Sequence, residues 1–139
     1  MFELHPAFAA TSHALGDLPL SHLRLQADAR FAWLVAIPRI AGAVELEDLS
    51  PSDRTRLVEE VVQAGAAVRA VGQALGRPVT KLNIGQLGNL TPQLHVHVVG
   101  RRPDDAAWPG PVWGVGTSEA YGDAPLAAAL AMARSTLGI

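Results

Sequence analysis

One long helix is written into the chain between Leu49 and Gly76, and the shorter segments on either side have to pack around it. Ser50 is suited to cap it, Pro51 fits the first helical position, and Asp53 places a negative charge in the first turn. Leu57, Val61, Val68, Val71 and Leu75 recur near the 3.6-residue period, with Val58 and Val62 widening the apolar stripe. Gly65 and Gly72 interrupt that stripe, which either weakens the helix slightly or permits close packing. Gly76-Arg77-Pro78 stops it.

The flanking segments read mostly as strands. Pro6 to Leu15 predicts a short helix, ended by Gly16-Asp17 and Pro19. His22 to Gln26 predicts a strand, and the apolar run Phe31 to Ile37 predicts a buried one that Pro38 ends. Thr80 to Ile84 is a further strand with Leu82 and Ile84 on one face, followed by the glycine-bearing turn Gly85 to Asn89 and a strand from Gln93 to Val99. Arg101 to Gly116 is a long loop containing Pro103, Pro109 and Pro111, and Ala124 to Leu137 is an alanine-rich helix. Turn-length links between the later strands favour an antiparallel α+β domain over repeated βαβ units. The expected fold is therefore α+β: an antiparallel sheet with one long helix and a C-terminal helix, spanning residues 1–139 as a single domain. A chain of 139 residues buries roughly 65–70% of its unfolded surface, so a core forms without staples.

Composition narrows the function. There is no cysteine, which removes disulfides and thiolate metal sites. Lys and Arg number 11 against 13 Asp and Glu, a net charge of −2, with a pI near 6.2. That is a poor footprint for long nucleic acid, which rewards dense positive surfaces, whereas a small anion needs only a few local donors. Met1-Phe2-Glu3-Leu4-His5 has no Lys or Arg ahead of an apolar stretch, and no uninterrupted apolar run approaches the roughly 18–20 residues of a membrane span. A soluble, cytoplasmic protein with no membrane partner is expected.

The chemistry concentrates at Gln93-Leu94-His95-Val96-His97-Val98-Val99. With the strand period of two, Leu94, Val96 and Val98 face the core while Gln93, His95 and His97 form a row of nitrogen-bearing side chains. Imidazole titrates near ~6.5, so at neutral pH it serves as nucleophile, base or acid. A neutral histidine attacking phosphorus forms a covalent intermediate and splits one hard displacement into two. The preceding glycine turn brings backbone N–H groups near an anion, and Arg101 and Arg102 add positive charge beyond the strand.

These residues resemble the signature of the histidine triad (HIT) superfamily, His-φ-His-φ-His-φ-φ with φ apolar. Leu82-Asn83-Ile84 and Gly88-Asn89 are similar to that family's phosphate-binding approach to the motif, and Trp108-Pro109-Gly110-Pro111-Val112-Trp113 is similar to a loop of some small bacterial members. The match is tightest over residues 79–102. The resemblance implies a nucleotide hydrolase or transferase that releases a nucleoside monophosphate through a nucleotidylated histidine. It makes the middle position, His95, the nucleophile and His97 a companion that contacts phosphate. It places Asn89 and Asn83 on the phosphate or sugar side, makes Gly88 and Arg101 substrate-side groups, implies no cofactor, and implies a homodimer. Gln93 departs from the family by replacing the first histidine. Glutamine donates and accepts hydrogen bonds but cannot titrate, so any proton transfer at that position is lost, a contribution of roughly 10²–10⁴-fold.

Other readings stand beside these. His95 and His97 on a strand could supply two ligands to a metal, but no local spacing supports a third, although His22 or a carboxylate could serve. Loss of the first histidine also fits a nucleotide-binding module without turnover. Trp108 and Trp113 either stack on a base as a lid or cover a core edge or subunit contact. His5, His13 and His22 belong to no constellation.

Overall fold

A computed structural model describes residues 1–139. The long helix forms where its pattern places it: Pro51–Ala74 is one 24-residue helix, α2, with the Ser50 hydroxyl accepting the Asp53 N–H at 3.1 Å. Its two glycines are close-packing sites. A Cβ on Gly65 would lie 2.8 Å from Leu82 Cδ1, and one on Gly72 would lie 2.7 Å from the Arg77 carbonyl.

Five strands follow the order β1-β2-β3-β5-β4, every neighbouring pair antiparallel. They are β1 (Ser12–Asp17), β2 (Ser21–Gln26), β3 (Trp33–Pro38), β4 (Lys81–Gly85) and β5 (Val96–Arg101), with short α1 (Pro6–Thr11) ahead and α3 (Asp123–Leu137) behind. This is the α+β class expected, with α1 as a third helix. No helix is long and apolar enough to cross a membrane.

Alternation sorts each central strand onto two cores. Leu23, Leu25, Leu34, Ala36, Val96 and Val98 pack toward α2 and α3, while Trp33, Val35, Ile37 and Val99 join Phe8, Phe31 and Val112 on the opposite face. Central β3 is therefore buried along its whole length. Ala64, Ala67, Ala129 and Ala133 are fully buried, and these small side chains let α3 lie close along α2. Glu60, buried to 1% exposure on α2, accepts the N–H groups of Leu20 and Ser21 at 2.8 Å each and so grips the β1–β2 turn.

Several boundaries differ from the sequence expectation, three of them by what the chain pairs with. The first helix stops at Thr11 rather than Leu15, because Ser12 to Asp17 pairs with β2 in a ladder bulged at Ala14–Gly16. The histidine-bearing strand β5 starts at Val96, not Gln93. Pro92 has no N–H to give a ladder, and the Leu94 N–H bonds the Ala43 carbonyl in the loop after β3 instead of the β3 edge. Arg101 ends β5 rather than opening a loop.

Gly100 on β5 lies where a Cβ would meet Val79 Cγ2 at 2.6 Å and Val68 Cγ1 at 2.9 Å. Gly100→Ala is expected to cost about 1–3 kcal/mol by overpacking, read as a lower urea midpoint. An unchanged midpoint contradicts this account of the β5–α2 contact.

Candidate active site

The face of the sheet away from α2 carries a cleft of about 670 Å³. Of the residues singled out in the sequence, His95, His97, Gly88, Asn89 and Trp113 line it together. Gly88 turns the chain with φ +104°, a conformation favouring glycine.

His95 is buried to 6% exposure and sits just ahead of β5. Its Nδ1–H donates to the Gln93 backbone carbonyl at 2.6 Å, and Phe8 of α1 packs edge-on against the ring at 4.9 Å. A carbonyl only accepts, so Nδ1 carries the proton and Nε2 keeps its lone pair. His97 has the opposite arrangement. The Trp33 indole N–H donates to His97 Nδ1 at 3.0 Å. An indole nitrogen only donates, so Nδ1 is bare and the proton of the neutral ring sits on Nε2. The two rings, 4.9 Å apart and nearly perpendicular, thus present one nitrogen nucleophile and one N–H donor.

Burial lowers the pKa of both. His95 falls below its ordinary value through desolvation, partly offset by its bond to the Gln93 carbonyl. His97 falls to about 4, through desolvation first and the neighbouring His95 second. Both rings are neutral at pH 7.

The remaining sequence candidates lie elsewhere. Gln93 does not orient the His95 ring through its side chain. Its Oε1 accepts the His5 N–H at 2.9 Å and its Nε2 donates to the Glu3 carbonyl at 2.8 Å, pinning the N-terminal segment. Its backbone carbonyl alone holds His95. Arg101 is not a free positive charge either. It is buried to 1% exposure, donates to both Asp105 oxygens at 2.8 and 3.1 Å, and reaches Asn83 Oδ1 at 2.6 Å. Asn83 thus gives its Oδ1 to Arg101 and does not line the cleft. Trp108 lies over the Arg101 guanidinium at 5.7 Å and outside the cleft. This buried cluster anchors the loop after β5, whose far end carries Trp113 to the cleft. There Trp113 takes the space a side chain at Gly85 would need, its Cη2 being 2.9 Å from that Cβ position.

Reasoning from sequence passed over Phe8, Trp33 and the Asp28–Arg30 pair, all of which line the cleft. A tryptophan in an otherwise aliphatic buried strand was the available signal for Trp33. The other two depend on chain pairings that sequence does not display. Asp28 receives Arg30 NH2 at 2.8 Å, and Arg30 NH1 donates to the Val115 carbonyl at 2.8 Å, tying the far wall. No group of three His, Cys, Asp or Glu side chains is placed to hold a metal, and His22 pairs instead with Asp17 at 2.6 Å.

The chain is similar to known proteins over nearly its whole length. The HIT domain family matches residues 7–104. A histidine triad protein of Bradyrhizobium japonicum is 37% identical over 98% of each chain, with a TM-score of 0.91. One of Sinorhizobium meliloti 1021 is 35% identical over 98% of this chain and 97% of its own, at 0.88. One of Marinobacter aquaeolei VT8 is 33% identical over 99% of this chain and 97% of its own, at 0.89. A search of curated proteins gives no match.

Unfolded His97 takes a proton near 6.5 and the folded ring near 4, so between those values the unfolded chain binds more protons. Stability is therefore fully present above pH ~6.5 and declines toward pH 4, on the order of 3 kcal/mol for this ring. Urea unfolding from pH 7 to 4 is expected to show a shallower decline in His97→Gln, which keeps an acceptor for Trp33. Equal declines in the two proteins contradict the assignment.

Proposed function

This chain belongs to the HIT domain family, and on that premise we propose that it is a nucleotide hydrolase or transferase working through a covalent nucleotidyl-histidine on His95. Membership of the family supports nucleotide-binding or hydrolase-type function broadly. The finer reading rests on one observation: the bare Nε2 of His95 beside the Nε2–H of neutral His97, in a cleft bounded by the Gly88–Asn89 turn.

In this mechanism Nε2 of His95 attacks phosphorus. The N–P bond forms, the bond to the leaving group breaks, and the leaving group takes the electron pair. The carbonyl of Gln93 holds Nδ1–H and stabilises the positive charge that develops on the ring. His97 Nε2–H and backbone N–H groups of residues 88–91 donate to the phosphoryl oxygens. Water then attacks phosphorus, the N–P bond breaks with its pair returning to Nε2, and a nucleoside monophosphate leaves. Trp113 and Phe8 supply flat apolar walls for a base or sugar. No metal enters the scheme.

A cytoplasmic homodimer is part of the same proposal. Strand β4 is an edge of the sheet, and Ile84 on it and Val58 and Val62 on α2 are 56–64% exposed. An apolar strip beside an unpaired edge suits a second copy of the chain.

The test is single-turnover reaction with a fluorogenic AMP phosphoramidate and a dinucleoside polyphosphate, with His95→Ala in parallel. Turnover of at least one substrate, a mass adduct of AMP on the wild type, and loss of both in the variant are expected, a fall of 10⁴-fold or more, on the order seen when a nucleophile is removed. AMP binding with no adduct and no turnover instead identifies a binding module.

A further inference from the structure

Strand alternation sends three polar side chains of β2 toward the cleft side of the sheet. Leu23 and Leu25 pack toward α2, so His22, Arg24 and Gln26 project from the opposite face. Two of the three are consumed inside the protein. Arg24 is buried and donates to the Ser12 hydroxyl at 2.7 Å and the Ser12 carbonyl at 2.9 Å. His22 pairs with Asp17 at 2.6 Å, and its other ring nitrogen meets an Arg24 nitrogen at 3.2 Å. Gln26, the last residue of the strand, lines the cleft. It stands where α1 meets the sheet, opposite Ser12 on β1, and Ala27 after it donates its N–H to the Thr11 carbonyl at 2.9 Å. Gln26 thus belongs to the same wall as α1 and Phe8.

Other polar side chains lining the cleft away from the histidines are already engaged. Thr11 donates its hydroxyl to the Ala7 carbonyl at 3.1 Å. Asp28 accepts from Arg30 Nε at 3.0 Å and NH2 at 2.8 Å, while Arg30 NH1 donates to the Val115 carbonyl at 2.8 Å. Ser118 is exposed. The Gln26 amide differs from these: it is half-buried and bonds to no protein group. Phe8, Ala10, Ala27 and Val115 share the cleft with it and are apolar. An amide has two donors and an acceptor to satisfy. In an apolar recess, partners supplied by a ligand count for more than they do in open water.

Resting on the nucleotide reading of this cleft, we propose that Gln26 is a specificity-determining residue that reads the edge of the base. With phosphorus held at His95 and His97, sugar and base extend along the cleft toward the α1 wall. The Gln26 amide presents one acceptor beside one donor. That pair complements an amine next to a ring nitrogen, the pattern adenine carries at N6 and N7. Guanine offers two acceptors, O6 and N7, along the same edge, and these suit the donor fork of an arginine. The one arginine of this cleft has its fork committed to Asp28 and Val115. Guanine therefore sets an acceptor against the Gln26 oxygen, whereas adenine satisfies both ends of the amide. The cleft selects the purine nucleotide with the amine-bearing edge.

The experiment titrates wild type, Gln26→Leu and Gln26→Glu with AMP and with GMP by calorimetry. Wild type is expected to bind AMP at least about tenfold more tightly than GMP, the scale of one bidentate base contact. Gln26→Leu removes both partners, and Gln26→Glu keeps the shape but offers only acceptors. In each variant the preference is expected to fall below about threefold, and retained GMP binding shows that the cleft is still formed. Should one variant fail to fold, the other decides. A wild-type preference under tenfold overturns the proposal, and so does a preference that stays above threefold in a folded variant. Failure of the wild type to bind either nucleotide overturns the nucleotide reading itself.

Discussion

Two imidazoles side by side in one cleft would be interchangeable were it not for what each Nδ1 meets. One meets a carbonyl, which only accepts, and the other an indole N–H, which only donates. From that difference follow opposite tautomers, and from those a lone pair on His95 Nε2 and a proton on His97 Nε2. Each bond is worth only about 0.5–1.5 kcal/mol net, but leaving either buried partner unmade costs about 1–3 kcal/mol, so the wrong tautomer is expensive twice over. The fold is arranged to deliver both partners. Pairing of β3 with β5 sets Val35 opposite His97 and brings Trp33, two residues away on the same face, against the ring. The bond from Leu94 N–H to Ala43 holds the segment ahead of β5 out of the ladder, so the Gln93 carbonyl turns back onto His95.

Around this pair, polar side chains are spent on holding walls. Arg101, Asp105 and Asn83 form a buried cluster under the loop that ends at Trp113. Hydrogen bonds from Arg101 and from the N–H groups of Arg102 and Ala107 outweigh the cost of burial and pull the Asp105 carboxyl down to about 2. Asp28 and Arg30 fasten the opposite wall through Val115 and Glu119. Gln93 fastens the N-terminal segment leading into α1 and Phe8. Buried ion pairs of this kind add little net stability against an apolar core. Their contribution is to fix where the backbone runs.

Much of this was legible in the sequence because it follows from local chemistry. The cap at Ser50, Pro51 behind it and the stop at Gly76-Arg77-Pro78 bound α2 with little ambiguity, and period-two alternation separated Leu94, Val96 and Val98 from His97. Of the row Gln93–His95–His97, the two histidines share the cleft face as the alternation implies, whereas Gln93 turns to the N-terminal segment, because nothing local reveals that Leu94 bonds Ala43 rather than β3. Ser12 to Leu15, expected as the end of the first helix, is strand because its pairing comes from β2 and not from its own residues. Arg101 looked like a free cation for the same reason. Its partners Asp105 and Asn83 are four and eighteen residues away, and only folding brings them to it. Trp33 is the most instructive omission, since its role depends on which atom of His97 lies opposite, a fact of register rather than composition.

The account stands on the two tautomers, and nitrogen-15 NMR of histidine-labelled protein at neutral pH reads them directly. The predicted spectrum has the His95 proton on Nδ1 with Nε2 unprotonated, and the His97 proton on Nε2 with Nδ1 unprotonated. The same tautomer on both rings, or a protonated Nδ1 on His97, would contradict it.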